Sequence, residues 1–352
     1  MSRAGSNSTL RATLAALPKI DLHRHLEGSL RLTTLRDIAR QYNLDLPTND
    51  VEELRPYVQV MNDEPNYRNF LEKFNVLRRF YQSPETISRL AFEVMEDAYQ
   101  DNVKYLELRF TPAALSKTRG YPLGEVAQWV LLAVEKARHV FPDMHVELIA
   151  SLNRHESLEI AEKVTQIAVD HKEDIVGLDL AGDEVNYPTA PFAALFREAR
   201  KEGLGIVVHA GEWTGPATVR EAIEDLSAMR IGHGVRVVED ADVATLARER
   251  GIAFEVCPTS NLQSGVIQRM ADHPLRDMFR LNLKATINTD DPSVSNIVLT
   301  DEYEVVVEDL GFTPDDVKNT ILTSASCAFQ PPAARARLVS RFRDALGLNS
   351  TA

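Results

Sequence analysis

Cysteine is scarce in this sequence: only Cys257 and Cys327 occur in 352 residues. Two thiols cannot build a disulfide framework, so reduced cysteines in a cytoplasmic protein are the simpler expectation. Long apolar runs are missing as well; none approaches the roughly 18 residues that span a bilayer. The opening stretch MSRAGSNSTLRATLAALP carries two arginines but neither a sustained apolar segment nor a small-residue cleavage pattern. It reads as an N-terminal tail, residues 1–18, leading into a short helix, and not as a secretion signal. Positive charge is in deficit: 39 Lys and Arg stand against 52 Asp and Glu, a formal charge of −13. Nucleic acid or an anionic membrane would need the opposite field, so neither is expected as a partner. Low-complexity linkers and internal repeats are also lacking, and residues 19–346 read as one domain. The ending GLNSTA looks like a frayed terminus, and nothing in the sequence sets an oligomeric state.

What is present is a regular alternation of short β-rich runs with longer amphipathic stretches. Strands are expected near 19–23, 103–110, 144–152, 174–182, 204–211, 230–234, 252–258 and 283–290. Several are near-continuous apolar runs, as strands covered on both faces require. Between them, PETISRLAFEVMEDAYQ places Ile87, Leu90, Ala91, Val94 and Ala98 on one helical stripe, with Pro84 near its start. The stretch DVATLARERG ends on Gly251, a helix stop. Eight strand–helix repeats predict an α/β fold, the (β/α)8 TIM barrel, which reaches this length as one domain. Extra helices are expected after the first strand, between Leu30 and Val103, on the catalytic side. Two closing helices are expected from Pro314 onward.

Four polar clusters, DLHRHLEG, VVHAGE, IGHG and NTDDP, fall at the C-terminal ends of these strands, the rim where barrel enzymes build their sites. His23 and His25 are two apart, so on a strand both point to one face. With His209 and Asp290 from other strands they make a set of N and O ligands suited to a catalytic zinc, which keeps one position open for water. Glu27 either reaches a substrate or holds a ligand histidine from behind. Glu212 follows two small residues and is either a proton shuttle or an ordinary helix-start glutamate, with His209 then a buried histidine on a backbone carbonyl. His233, between glycines, suits the orientation of an attacking water or the role of base. Of Asp290 and Asp291, one can bind metal and the other a substrate; the plainer alternative is that both cap the next helix. Strand four ends without the lysine that a bridged two-metal site would use, so one metal is favoured. The chain reads as a metal hydrolase.

With GLDLAGDE added to these motifs, in this order and spacing, the sequence resembles the adenosine deaminase family from about Ile20 to the closing helices. The resemblance implies a barrel with one zinc per subunit and hydrolytic loss of ammonia from C6 of a purine nucleoside, adenosine or 2′-deoxyadenosine. It implies that His23, His25, His209 and Asp290 bind zinc and that Glu212 protonates purine N1. It further implies that His233 orients and helps deprotonate the water, that Asp291 hydrogen-bonds N7, and that the Gly182 N–H meets N3. His25, Glu27, Gly182, Asp291, Phe70 and Phe74 make up the substrate side. FLEKF, with Phe70 and Phe74, is either an apolar gate over the sugar or a core-facing helix. Family members often carry Asp where Glu27 stands. That departure keeps open adenine or a 5′-modified nucleoside of the aminodeoxyfutalosine or methylthioadenosine type, while LDLAGDE resembles the nucleoside branch and stands against adenine. A non-catalytic nucleoside-binding relative is a separate alternative, which would typically have lost a ligand or Glu212. A phosphate-bearing substrate is disfavoured, because no basic cluster lies near the motifs. Arg109, Arg154 and His155 end strands two and three; they could contact substrate, but buried ion-pair or supporting roles are expected of them.

Overall fold

The computed structural model describes residues 8–46, 48, 50–61 and 63–348. The extremes of the expected tail and frayed terminus, residues 1–7 and 349–352, lie outside these. Eight strands run parallel in sequence order: β1 Lys19–His25, β2 Val103–Phe110, β3 His145–Asn153, β4 Ile175–Ala181, β5 Gly205–Ala210, β6 Arg230–His233, β7 Ala253–Val256 and β8 Lys284–Ile287. Each pairs with the next, and the ring closes where Arg24 of β1 bridges Asp290 just past β8. All eight expected strands are present, and the (β/α)8 barrel with them. β6, β7 and β8 end earlier than their apolar runs suggest. His233 turns out of β6 at φ +57 and Asp290 follows β8 at φ +63, so the chain leaves extended geometry at both places. After β7 the helix Pro258–Gln263 takes over, its start preset by proline.

Apolar residues pointing away from the barrel axis pack under the helices; Leu106, Leu108 and Phe110 of β2 are fully buried there. The helix Pro84–Gln100 spans the expected stretch, with Ser83 accepting the Thr86 N–H and all five stripe residues buried. The helix Ala241–Arg250 stops at Gly251 in a left-handed conformation, as the sequence requires. Among its described residues the long insertion after β1 holds four α-helices, of which Tyr67–Leu77 crosses the barrel mouth. Pro314–Cys327 and Pro332–Ala345 are the two closing helices. Between them Phe329 enters the far end of the barrel, packing on Ile149 and Val207. Gly177 and Gly205 leave the room: a methyl group on either would lie under 3.0 Å from the Phe329 ring.

Above Phe329 the barrel axis is ionic. The Arg230 guanidinium stacks 3.6 Å over that ring and pairs with Glu107 and Glu255; Glu255 also pairs with Arg109. All four are at most 1% exposed. Buried charge of this kind is tolerated only when paired throughout, and here the pairs alternate in sign up to the floor of the mouth.

Candidate active site and metal centre

β1 carries His23 and His25 to the same side, while Arg24 between them points outward to Asp21 and Thr289. β5 ends in His209. Asp290 is drawn in by backbone pairing to β1: His25 N–H donates to Asp290 O, and Asp290 N–H to His23 O, both at 2.8 Å. The four side chains converge. His25 Nε2 lies 3.3 Å from both His23 Nε2 and His209 Nε2, and 3.4 Å from Asp290 Oδ1. His23 Nε2 is 3.2 Å from the same oxygen.

These separations test whether a cation fits. Donor atoms ~2.0–2.1 Å from a tetrahedral ion sit ~3.3–3.4 Å apart. His209 Nδ1 lies 3.0 Å from Asp179, so this ring gives its proton to the carboxylate and turns a bare Nε2 inward. His23 Nδ1 sits between Glu255 at 2.8 Å and the Arg109 guanidinium at 2.5 Å. Lone pairs and a carboxylate crowded at these distances repel unless a cation is shared. Burial drives His25 and His209 below the ordinary imidazole range, which keeps them in the neutral, metal-binding form. A looser grouping, with atoms up to 4.8 Å apart, joins His233 to His23, His209 and Asp290, and another joins Asp179 to His25 and His209. The tighter set is preferred. His233 Nε2 is 3.8 Å from the other Asp290 oxygen, and Asp179 serves the far nitrogen of His209.

The supporting carboxylates are kept charged. Burial raises Glu255 and Asp179, but Arg109 and Arg230 for the first, and His209 and Arg109 for the second, override it and hold both well below the usual range. Ser260 donates to Asp290 Oδ2 at 2.6 Å.

Beside the cluster opens a cavity of about 640 Å³ including its open mouth. His25, Glu27, Phe70, Phe74, Gly182, His209, Glu212, His233, Asp290 and Asp291 all line it, and His23 lies beneath. Glu212 is 3.6 Å from His233 Nε2. Burial, then the charges of Asp290 and Glu184, push the Glu212 carboxyl well above its ordinary range, which keeps it protonated. Burial, then Asp290 and Glu27, does the same to Asp291. Burial moves Glu27 up to about 7, against the hydrogen bond it accepts from Thr111 N–H at 2.6 Å. One oxygen each of Glu27 and Asp291 is buried without a protein partner. Gly28 makes room for Asp291, since a methyl group there would lie 1.7 Å from Oδ1.

The plainer alternatives fail on geometry. Asp291 makes no side-chain capping bond, the helix after Glu212 begins only at Pro216, and His209 rests on a carboxylate. Phe70 is both buried and cavity-lining. Arg109 is the expected buried ion pair and Arg154 donates to the His209 carbonyl, but His155 departs from expectation: it is exposed, its ring 6.1 Å from Tyr187.

Sequence reasoning missed Glu184, whose carboxylate accepts the N–H groups of Gly211, Glu212, Trp213 and Thr214 and so fixes the Glu212 loop. Its place in LAGDE, just past β4, was the available signal. Trp213, 5.2 Å from the Tyr67 ring, packs the helix Tyr67–Leu77 against that loop. Arg78 also lines the cavity. It supplies a cation far in sequence from the motifs, where none was sought.

The family profile described as adenosine deaminase matches residues 18–345. The chain belongs to the adenosine deaminase family. A family relative from Yersinia enterocolitica, an adenosine deaminase, is 37% identical over 313 residues, 89% of this chain and 94% of its own. An adenine deaminase from Arthrobacter aurescens superposes with a TM-score of 0.86 at 27% identity, covering 94% of this chain and 99% of that one. An Arabidopsis N6-mAMP deaminase gives 0.84 at 26% identity, covering 94% and 99%. As a member of this deaminase family the chain is a hydrolase-type barrel, and no helix among its described residues is long and apolar enough to cross a membrane.

Proposed function

We propose that this protein hydrolyses adenosine and 2′-deoxyadenosine to the inosine nucleosides and ammonia. The observation that carries the reading is the convergence of His23, His25, His209 and Asp290 beside a protonated Glu212 in one cavity. Curated relatives at this level of identity are adenosine deaminases. The donor set, three imidazoles and a carboxylate, suits zinc, one per subunit. When bound, such an ion supplies Lewis acidity that makes water a nucleophile at neutral pH.

The rest is the chain's own work. Attack at C6 disrupts an aromatic ring, and the electrons pushed on to N1 need a proton there. Glu212, protonated by its burial, gives it. Now a carboxylate, Glu212 takes a proton from the attacking water and passes it to the leaving amino group, which departs as ammonia. It regains its own proton when the C6 hydroxyl becomes a carbonyl, so the cycle balances. Protonated Asp291 donates to N7, Gly182 meets N3, and Phe70 and Phe74 exclude water over the sugar. His233 orients the incoming oxygen. A second reading, adenine or a 5′-modified adenine nucleoside, is favoured by Glu27 and Arg78 lining the cavity. Both cysteines are free, in keeping with work in the cytoplasm.

Ammonia release from adenosine, with metal content after dialysis, tests the reading. Glu212→Gln should retain the metal and lose kcat by several orders of magnitude. Near-normal turnover in that variant would remove the proton-donor role.

A further inference from the structure

One buried hydrogen-bond chain at the site begins from a donor whose direction is beyond choice. The backbone N–H of Leu275 donates to His273 Nδ1 at 3.1 Å. A ring nitrogen that accepts carries no proton, so neutral His273 holds its proton on Nε2. Burial keeps the ring neutral, moving its pKa down to about 3. Nε2–H therefore donates to the Asn261 carbonyl oxygen, 3.2 Å away. The amide orientation of Asn261 is thereby set, and its NH2 group faces His233 Nδ1 at 3.2 Å. Asn261 is 0% and His233 1% exposed, so bulk water does not compete for these groups. His233 Nδ1 accepts, and the proton of neutral His233 sits on Nε2.

We infer that Asn261 and His273 are positioning residues that lock His233 in its Nε2–H form, so that it serves the reaction as a hydrogen-bond donor and not as a base. His233 Nε2 is 3.6 Å from Glu212 Oε2 and 3.8 Å from Asp290 Oδ2, which aims its N–H between two carboxyls into the cavity. An oxygen approaching C6 beside Glu212 meets that N–H, which stabilises negative charge as it develops.

The contrast within the same site strengthens the assignment. A histidine that must offer Nε2 as a lone pair is wired to a carboxylate at Nδ1. His209 has Asp179 there. His233 receives an amide N–H instead, the opposite wiring. The reaction rests on the proposed function, but the tautomer does not. In that reaction the water's proton goes to Glu212, and His233 neither gains nor loses one.

Nitrogen NMR of the metal-loaded protein with labelled histidine reads the tautomer directly. An acceptor-type Nδ1 and an N–H-type Nε2 at His233 are expected; the reverse overturns the inference. Asn261→Asp replaces the amide donor by a carboxylate, which draws the proton to Nδ1 and leaves Nε2 bare. A lost donor should lower kcat and kcat/KM together, by about a hundredfold. If His233 is a base, the same change gives it the wiring a base wants, and kcat is kept or raised. Should Asn261→Asp not fold, His273→Leu, which frees the Asn261 amide to turn over, should lose at least tenfold in kcat. His273→Gln, whose amide N–H donates to the same oxygen, should restore it; equal losses in both overturn the relay. Inactivity of wild-type protein on adenosine with an Nε2–H His233 would sink the proposed reaction and leave the tautomer standing. Activity with an Nδ1–H His233 would do the converse.

Discussion

Gly232 offers a sharp test of the metal centre, because it touches no cation and no substrate. It sits mid-β6, paired with His209 on one side and Glu255 on the other, and it faces the axis. A methyl group there would lie 3.0 Å from His209 Nδ1 and 3.0 Å from His23 Cε1. Comfortable contacts between such atoms are ~3.5–4.0 Å, so the two rings must yield by a few tenths of an ångström. Backbone retreat is blocked, since both neighbouring strands hold β6 in its ladder. The rings are equally confined, His209 by Asp179 and His23 by Glu255. Metal–ligand distances tolerate about ±0.2 Å. Gly232→Ala should therefore weaken metal binding by about 10–100-fold, the scale of losses when ligand support is disturbed. Overpacking should cost the metal-free protein about 1–3 kcal/mol. Competition against a fluorescent chelator reads the first quantity and urea unfolding of metal-free protein the second. Wild-type metal affinity in Gly232→Ala would mean that His23 and His209 do not share an ion.

Phe329→Ala should cost about 3–5 kcal/mol in urea unfolding, because the ring fills the barrel end and supports Arg230; a loss under 1 kcal/mol would refute that. Acid stability should depend on His273, whose folded pKa of about 3 lies below its unfolded value of 6.5. Between these values only the unfolded chain takes up the proton, so the contribution is full above pH 6.5 and is lost towards pH 3, by ~1.4 kcal/mol per unit. His273→Gln should flatten that slope in denaturant titrations; parallel slopes would exclude it. Glu27→Asp withdraws the carboxyl by ~1.5 Å and breaks its bond to Thr111 N–H, so the ratio of kcat/KM for adenosine over adenine should change. An unaltered ratio would show that Glu27 does not select the substrate.

Much of the site was legible because ligand residues must project from strand ends. The clusters DLHRH, HAGE, GHG and NTDDP therefore sit where apolar runs stop, and the structure brings all of them to one cavity. The supporting shell was not legible. Glu107, Arg109, Arg230 and Glu255 look like ordinary charges in short strands, and nothing local says that they neutralise one another across the axis. Asn261 and His273 act on His233 from different segments, so their spacing carries no periodic signal. Phe329 lies in an irregular link between helices. Its only trace in sequence is in its seat, where Gly177 and Gly205 interrupt strands that otherwise favour branched residues.

Two departures from good backbone geometry fall on His233 and Asp290, the non-glycine residues of the site at positive φ. Each costs about 1–2 kcal/mol relative to ordinary geometry, and glycine would relieve it. Glycine is affordable next door at Gly234, at φ +64, so the fold accommodates it there. What glycine cannot supply is the ring or the carboxylate, and the turn is what swings each from the strand line into the mouth. At Asp290 the same turn does a second thing. Its backbone bonds to His23 and His25 make the bridge that closes β8 on to β1. A cation held by His23, His25 and Asp290 would therefore straddle the seam of the barrel. Metal loading and barrel closure would then stabilise one another and offset the strain at the point where a single bridge joins β8 to β1.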